Sequence, residues 1–211
     1  NSETSQILDI SGLNPGMHSY AVTVSACGTT VSDTVNINIS PLPAYGASIT
    51  GPTSVCQGQN AVTYTIPAIP NATSYIWTLP QGATGTSSTD SITVNFGASA
   101  VTGNIEVKGH NGCGDGPVSI LTVTVNSSPV AEAGIKQIYS ETPVQIGSPA
   151  NGPGTISWLP AAGLNNASVA QPLASPSATT VYTITANNNG CIATDTVTVI
   201  FFGGYTISGK T

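Results

Sequence analysis

Apolar and polar residues alternate one by one along this chain, and that spacing restricts its fold more than any other feature. Successive side chains of a β-strand point to opposite faces, so a period of two marks a strand with one buried face. Tyr20, Val22 and Val24 share one face, and Val35, Ile37 and Ile39 share another. The period returns at Val62, Tyr64 and Ile66, at Tyr75, Trp77 and Leu79, and at Ile92, Val94 and Phe96. It continues at Leu121, Val123 and Val125, at Val144 and Ile146, at Ile156 and Trp158, at Tyr182 and Ile184, and at Val197, Val199 and Phe201. No window of comparable length has helical spacing. With 23 Gly and 15 Pro to punctuate the runs, the expectation is an all-β fold of many short strands.

Charge narrows the partners. Lys108, Lys136 and Lys210 are the only basic side chains, and the formal net charge is -6. A nucleic-acid interface needs cations to replace the phosphate counterions, so nucleic acid is not expected as a partner. The longest apolar stretch, VTVIFF at 197–202, is far too short to span a bilayer, so membrane insertion is not expected either. The amino end NSETSQ lacks the basic region and apolar core of a leader. Both ends read as cut within a module, so the chain is expected to be a mature piece of something longer.

Three segments repeat one pattern. SYAVTVSACGTTVSDTVNI at 19–37 resembles VYTITANNNGCIATDTVTV at 181–199, and GNIEVKGHNGCGDGPVSILTVTV at 103–125 is a looser version. Each is an aromatic- or apolar-led strand, a turn holding a Cys, and a second strand. Proline-containing linkers at 41–46 and 126–131 separate the repeats. The division that follows has the last three strands of an incomplete module at 1–41 and a complete sandwich at 46–126. A second complete sandwich occupies 129–201, and 203–211 holds a linker and the first strand of a further module. Each complete module is of immunoglobulin size with one central Trp.

A module this small buries only about 60–65% of its unfolded surface, so a cross-link helps it. Cys56 and Cys113 are the two cysteines of the middle module and are expected to pair, closing a loop that contributes on the order of 4 kcal/mol. Four cysteines nevertheless permit three connectivities, and spacing does not choose among them.

GPTSVCQGQNAVTYTIP, ATSYIWTLPQGA, DSITVNFGASAVTGNIEV and NGCGDGP together resemble the PKD-like and Ig-like repeats of large secreted proteins of Bacteroidetes-type bacteria. PVAEAG, SWLPAAGLNN, ASPSATTVYTITANNNGC and ATDTVTV are similar to a sister repeat of the same proteins. The resemblance implies tandem β-sandwiches, with a partial module at the amino-terminal end. It also implies export by the type IX route to the outer surface of a Gram-negative cell or beyond. Where the sister repeat reads Ile-Cys-Ser-Gly, this chain has Ile138-Tyr139-Ser140-Glu141. Tyr139 thus replaces the usual partner of Cys191, and Cys191 and Cys27 are expected to be unpaired within their own modules.

Candidate sites are sparse. His18 and His110 lie in different modules with no neighbouring nucleophile and carboxylate to form a relay, so both read as surface strand or turn residues and no catalytic residue is assigned. The carboxylates are scattered, and no pair has the spacing of a glycosidase. Glu132 and Asp115 are candidate Ca²⁺ ligands, but a calcium site needs six to eight oxygens and no dense acidic loop is present. The cysteines lack the paired short spacing of a zinc site, so no cofactor or metal is expected. Trp77 and Trp158 sit within alternating strands and read as core; Tyr45, Tyr75, Tyr139 and Tyr205 are weaker stacking residues for a sugar. The tripeptides Asp33-Thr34-Val35, Asp90-Ser91-Ile92 and Asp195-Thr196-Val197 match the O-glycan acceptor pattern that the resemblance makes relevant, at Thr34, Ser91 and Thr196. Asn38, Asn71, Asn126 and Asn166 head N-x-S/T sequons that a bacterial protein has little reason to use.

Two functions follow. The first is a non-catalytic structural or adhesive repeat segment, joined to neighbouring modules or identical subunits. In its sharper form Tyr205, Thr206, Ile207 and Ser208 donate a strand to the next subunit of a filament or stalk. The alternative is a glycan-binding or spacer region of a secreted polysaccharide-degrading enzyme, which requires exposed aromatics along one sandwich face.

Overall fold

A computed structural model describes residues 12–139 and 142–203. The fold is all-β, and every alternating run identified above coincides with a strand, Ile66, Leu79 and Ile146 standing one residue past the ends of theirs.

β1 (Gly16–Ala26) and β2 (Thr29–Ile39) form a two-stranded antiparallel hairpin closed by Cys27 and Gly28. Both turn residues have positive φ, 49° and 81°, the mirror-image turn that suits the twist of a hairpin. A third strand expected in this module falls at residues outside the described ones. The pleat puts His18, Tyr20, Val22 and Val24 on one face with Val31, Asp33, Val35 and Ile37 opposite them, while the other face is mostly Ser, Thr and Asn, with Met17 and Ala21 among them.

The middle sandwich has two sheets. One runs β3 (Ser54–Cys56), β10 (Ser119–Asn126), β8 (Gly103–Asn111), β5 (Ser74–Thr78), with β9 (Gly114–Asp115) beside β8. The other runs β4 (Val62–Thr65), β7 (Ser91–Phe96), β6 (Ala83–Thr84). Tyr64, Ile92, Val94 and Phe96 from the second sheet meet Ile105, Val107 and Val123 from the first in one buried core. The β3 strand is parallel to β10 and pairs Cys56 with Asn126.

The third sandwich repeats this plan. Its larger sheet runs β11 (Gln137–Tyr139), β16 (Cys191–Phe201), β15 (Thr180–Asn188), β13 (Thr155–Leu159), faced by β12 (Val144–Gln145) and β14 (Leu173–Ala174). Trp158, Tyr182, Ile184 and Val199 are all at most 1% exposed in its core. Trp158 Nε1 donates to Val169 O at 2.9 Å, and Tyr182 Oη donates to Ala162 O at 2.9 Å, so each buried polar tip has a partner. β11 is parallel to β16 and pairs Tyr139 with Phe201, the place that Cys56 holds beside Asn126.

The disulfide corrects the expected pairing. Cys56 is bonded to Cys191 of the third sandwich, and Cys113 is a free, exposed thiol. The register explains why. β8 begins beside the end of β10, where Cys56 sits, and ends at Asn111, next to the turn with Cys113. The nine residues of β8 separate Cys56 from Cys113 by about 30 Å at roughly 3.3 Å each, far beyond the reach of a disulfide.

Candidate functional site at the module junction

The residues that do something specific to this chain meet where the middle sandwich hands over to the third. Asn189 and Gly190 make the turn between β15 and β16, again with positive φ at both, 50° and 92°. That turn carries Cys191 to the end of the middle sandwich, where Cys56 stands at the close of β3 with a Cα–Cα distance of 5.7 Å. Cys191 is buried, and hydrogen bonds surround the bridge. Asn188 Nδ2 donates to Ser127 O at 2.8 Å, Asn189 Nδ2 to Asn126 Oδ1 at 3.3 Å, and Ser128 Oγ to Gln57 O at 2.6 Å. Thus Asn188 at the end of β15 and Asn189 of the turn hold both the linker and the end of β10. Sequence reasoning identified the turn but not the asparagines as ties, since their partners lie 61 and 63 residues away.

The three turn cysteines occupy three different places. Cys27 is the first turn residue of its hairpin, Cys113 lies within the turn between Asn111 and Gly114, and Cys191 is the first residue after its turn. Only the last is turned inward. Cys27 and Cys113 are exposed and free, and Cys191, expected to lack a partner in its own module, has one in the neighbouring module.

The remaining candidates are dispersed. His110 Nδ1 lies 2.6 Å from Asp115 Oδ1, and Lys108 Nζ lies 2.6 Å from Asp115 Oδ2. Hydrogen bonds from Lys108 and then His110 hold the Asp115 carboxyl below the usual carboxylate range. The structure therefore supplies His110 with the carboxylate that the sequence pattern did not show, across the β8–β9 pair. Among the described residues, His18 bonds only the Asn14 carbonyl, at 2.7 Å. Glu132 stands in the third sandwich, away from Asp115, and no group of three His, Cys, Asp or Glu side chains converges among the described residues. No helix among them is long and apolar enough to cross a membrane.

Thr34 and Thr196 are exposed, while Ser91 is half-buried. The Asp before each Thr braces its own strand. Asp33 Oδ1 accepts from Thr34 N and Asp195 Oδ1 from Thr196 N, both at 2.8 Å. Asp195 Oδ2 also accepts from Ala133 N at 2.9 Å, tying β16 to the segment that leads into β11. Trp77 is half-buried against the middle core with Nε1 on Thr89 O, and Tyr139 stacks on Phe201. Tyr45 is exposed, Tyr75 packs against the core, and Tyr205 to Ser208 lie outside the described residues.

A family model described as a PKD-like domain matches residues 42–123. No curated protein matches the chain. Among solved structures, an I-band fragment of titin with three immunoglobulin domains is 12% identical, with a TM-score of 0.49, covering 89% of this chain and 75% of that one. Extracellular domains 3–5 of Drosophila OTK are 11% identical, with a TM-score of 0.43, and cover 88% of this chain and 71% of that one. The insect immune protein hemolin is 13% identical, with a TM-score of 0.45, covering 87% of this chain and 56% of that one.

Proposed function

We propose that this chain is a non-catalytic, extracellular load-bearing segment, a run of Ig/PKD-like modules that holds other parts of a bacterial surface protein away from the cell. One observation carries the reading: the Cys56–Cys191 bond closes a loop with a sequence separation of 135 and encloses most of both sandwiches. A pull applied at the chain ends enters at Cys56, crosses the sulfur bridge and leaves at Cys191. The enclosed strands then bear no tension through their own backbone. Modules of this kind commonly serve as structural or adhesion units, and a disulfide suits an oxidising, extracellular setting. An extracellular address or one on the outer surface of a Gram-negative cell is part of the proposal, as is joining to identical subunits through a strand supplied by Tyr205 to Ser208. O-glycans at the exposed Thr34 and Thr196 would hydrate the structure without added charge. The rings of Trp77 and Trp158 pack against the cores instead of forming a platform, so a sugar-binding face gains no support.

Single-molecule stretching from the two ends tests the reading. Adding reductant is expected to release about 135 further residues, some 470 Å of contour at roughly 3.5 Å per residue. Equal final extension with and without reductant would sink it.

A further inference from the structure

β1–β2 and β15–β16 are one hairpin laid down twice. Tyr20 pairs with Val35 and Val22 with Asp33, as Tyr182 pairs with Val197 and Ile184 with Asp195, and a two-residue turn closes both. Their surroundings differ, although Tyr20 and Ile37 remain half-buried. Tyr182 and Ile184 are 0% and Val197 is 3% exposed, whereas Val22, Val24 and Val35 are 59%, 63% and 51% exposed. An exposed and largely apolar face of this kind, with Asp33 in its midst, marks an interaction surface.

Two polar atoms and one edge repeat the contrast. Asp195 Oδ2 accepts from Ala133 N, and Tyr182 Oη donates to Ala162 O; among the described residues, Asp33 Oδ2 and Tyr20 Oη have no such partner. The last three residues of β10 and of β16 each carry a parallel strand on the outer edge, β3 and β11. The matching residues of β2, Ile37 to Ile39, carry none among the described residues.

We propose that β1–β2 is the acceptor half of a module, completed by the front half of an Ig/PKD-like repeat of the kind formed by residues 129–176. The incoming polypeptide lays one strand parallel to β2 along Ile37–Ile39, directs a backbone N–H at Asp33 Oδ2 and offers a carbonyl to Tyr20 Oη. A second strand pairs antiparallel to β1 with its Trp opposite Val22, as Trp158 lies opposite Ile184. This rests on the reading of the chain as a repeat segment joined to neighbours, and it names the surface and the chemistry of the join.

The test uses the whole chain and a synthetic polypeptide of residues 129–176 as probe, read by hydrogen exchange. The probe should slow exchange across residues 17–38 at least tenfold, and a chain carrying Val22→Lys and Val35→Lys should bind it at least tenfold more weakly. Before the probe is added, the fluorescence of the variant's own Trp77 and Trp158 and the intact Cys56–Cys191 bond report that its sandwiches are folded. As a second format, the probe is fused ahead of residue 1 through a Gly/Ser linker, where the same protection is expected. Protection confined to residues 180–201, protection unchanged by the two lysines, or none in either format overturns the proposal. Each of these results leaves the stretching experiment unaffected, so the two readings fail separately.

Discussion

Two single residues show how tightly the sandwiches are specified. Gly147 has φ +83°, and a Cβ there would come within 2.1 Å of Ala170 O. Gly147→Ala therefore combines backbone strain of roughly 1–3 kcal/mol with a steric clash. Urea unfolding followed by Trp158 fluorescence should show a lowered midpoint for the third sandwich, while the middle one holds; an unchanged midpoint would refute this. Tyr64 is fully buried, and burial pushes its hydroxyl up to about 12 while Oη donates to Pro52 O at 3.0 Å. The unfolded tyrosine ionises near pH 10, so between pH 10 and 12 the unfolded state has lost the proton that the folded state keeps. Stability is thus full below pH 10 and declines as pH rises towards 12. The urea midpoint of the middle sandwich should be lower at pH 11 than at pH 9, and Tyr64→Phe should flatten that difference.

At the scale of the element, the hairpin is the unit that repeats, and its neighbours decide what it becomes. β15–β16 is held to the front of its module by a charge-assisted bond from Ala133 N to Asp195 Oδ2. Asp195→Ala removes that acceptor and the one used by Thr196 N, which should cost the third sandwich about 1–3 kcal/mol in a urea titration. Asp33→Ala in β2 has only the local bond to Thr34 N to lose among the described residues, so the two sandwiches should unfold as in the parent chain. Equal losses from both substitutions would show that Asp195 has no role beyond its own strand. The hairpins themselves were legible in the sequence, because the period of two and the Gly-containing turns are local signals. The parallel strands β3 and β11 were not, since three residues show no periodicity and pair with β10 and β16 more than 60 positions later.

Across the whole molecule, the disulfide is the feature that makes the middle and third sandwiches one mechanical unit. In the chain-entropy account, a loop of this separation constrains the unfolded chain by on the order of 5 kcal/mol. Replacing both Cys56 and Cys191 by Ser should therefore lower the thermal midpoint and free the junction, seen as faster hydrogen exchange at Asn188 and Asn189. Replacing Cys113 by Ser should change neither, and the reverse outcome would restore the pairing within the middle module. The sequence by itself determined the longer alternating strands and the turns with their cysteines, because alternation, glycine and proline act over a few residues. Only the tertiary structure decided which cysteine meets Cys56. That choice depends on the direction of β3 along β10, on the length of β8 that parts Cys56 from Cys113, and on the next module's turn arriving at the same end. The hairpin face of Val22, Val24 and Val35 divides the same way: its apolar pattern is written in the chain, and its exposure is a property of what surrounds it.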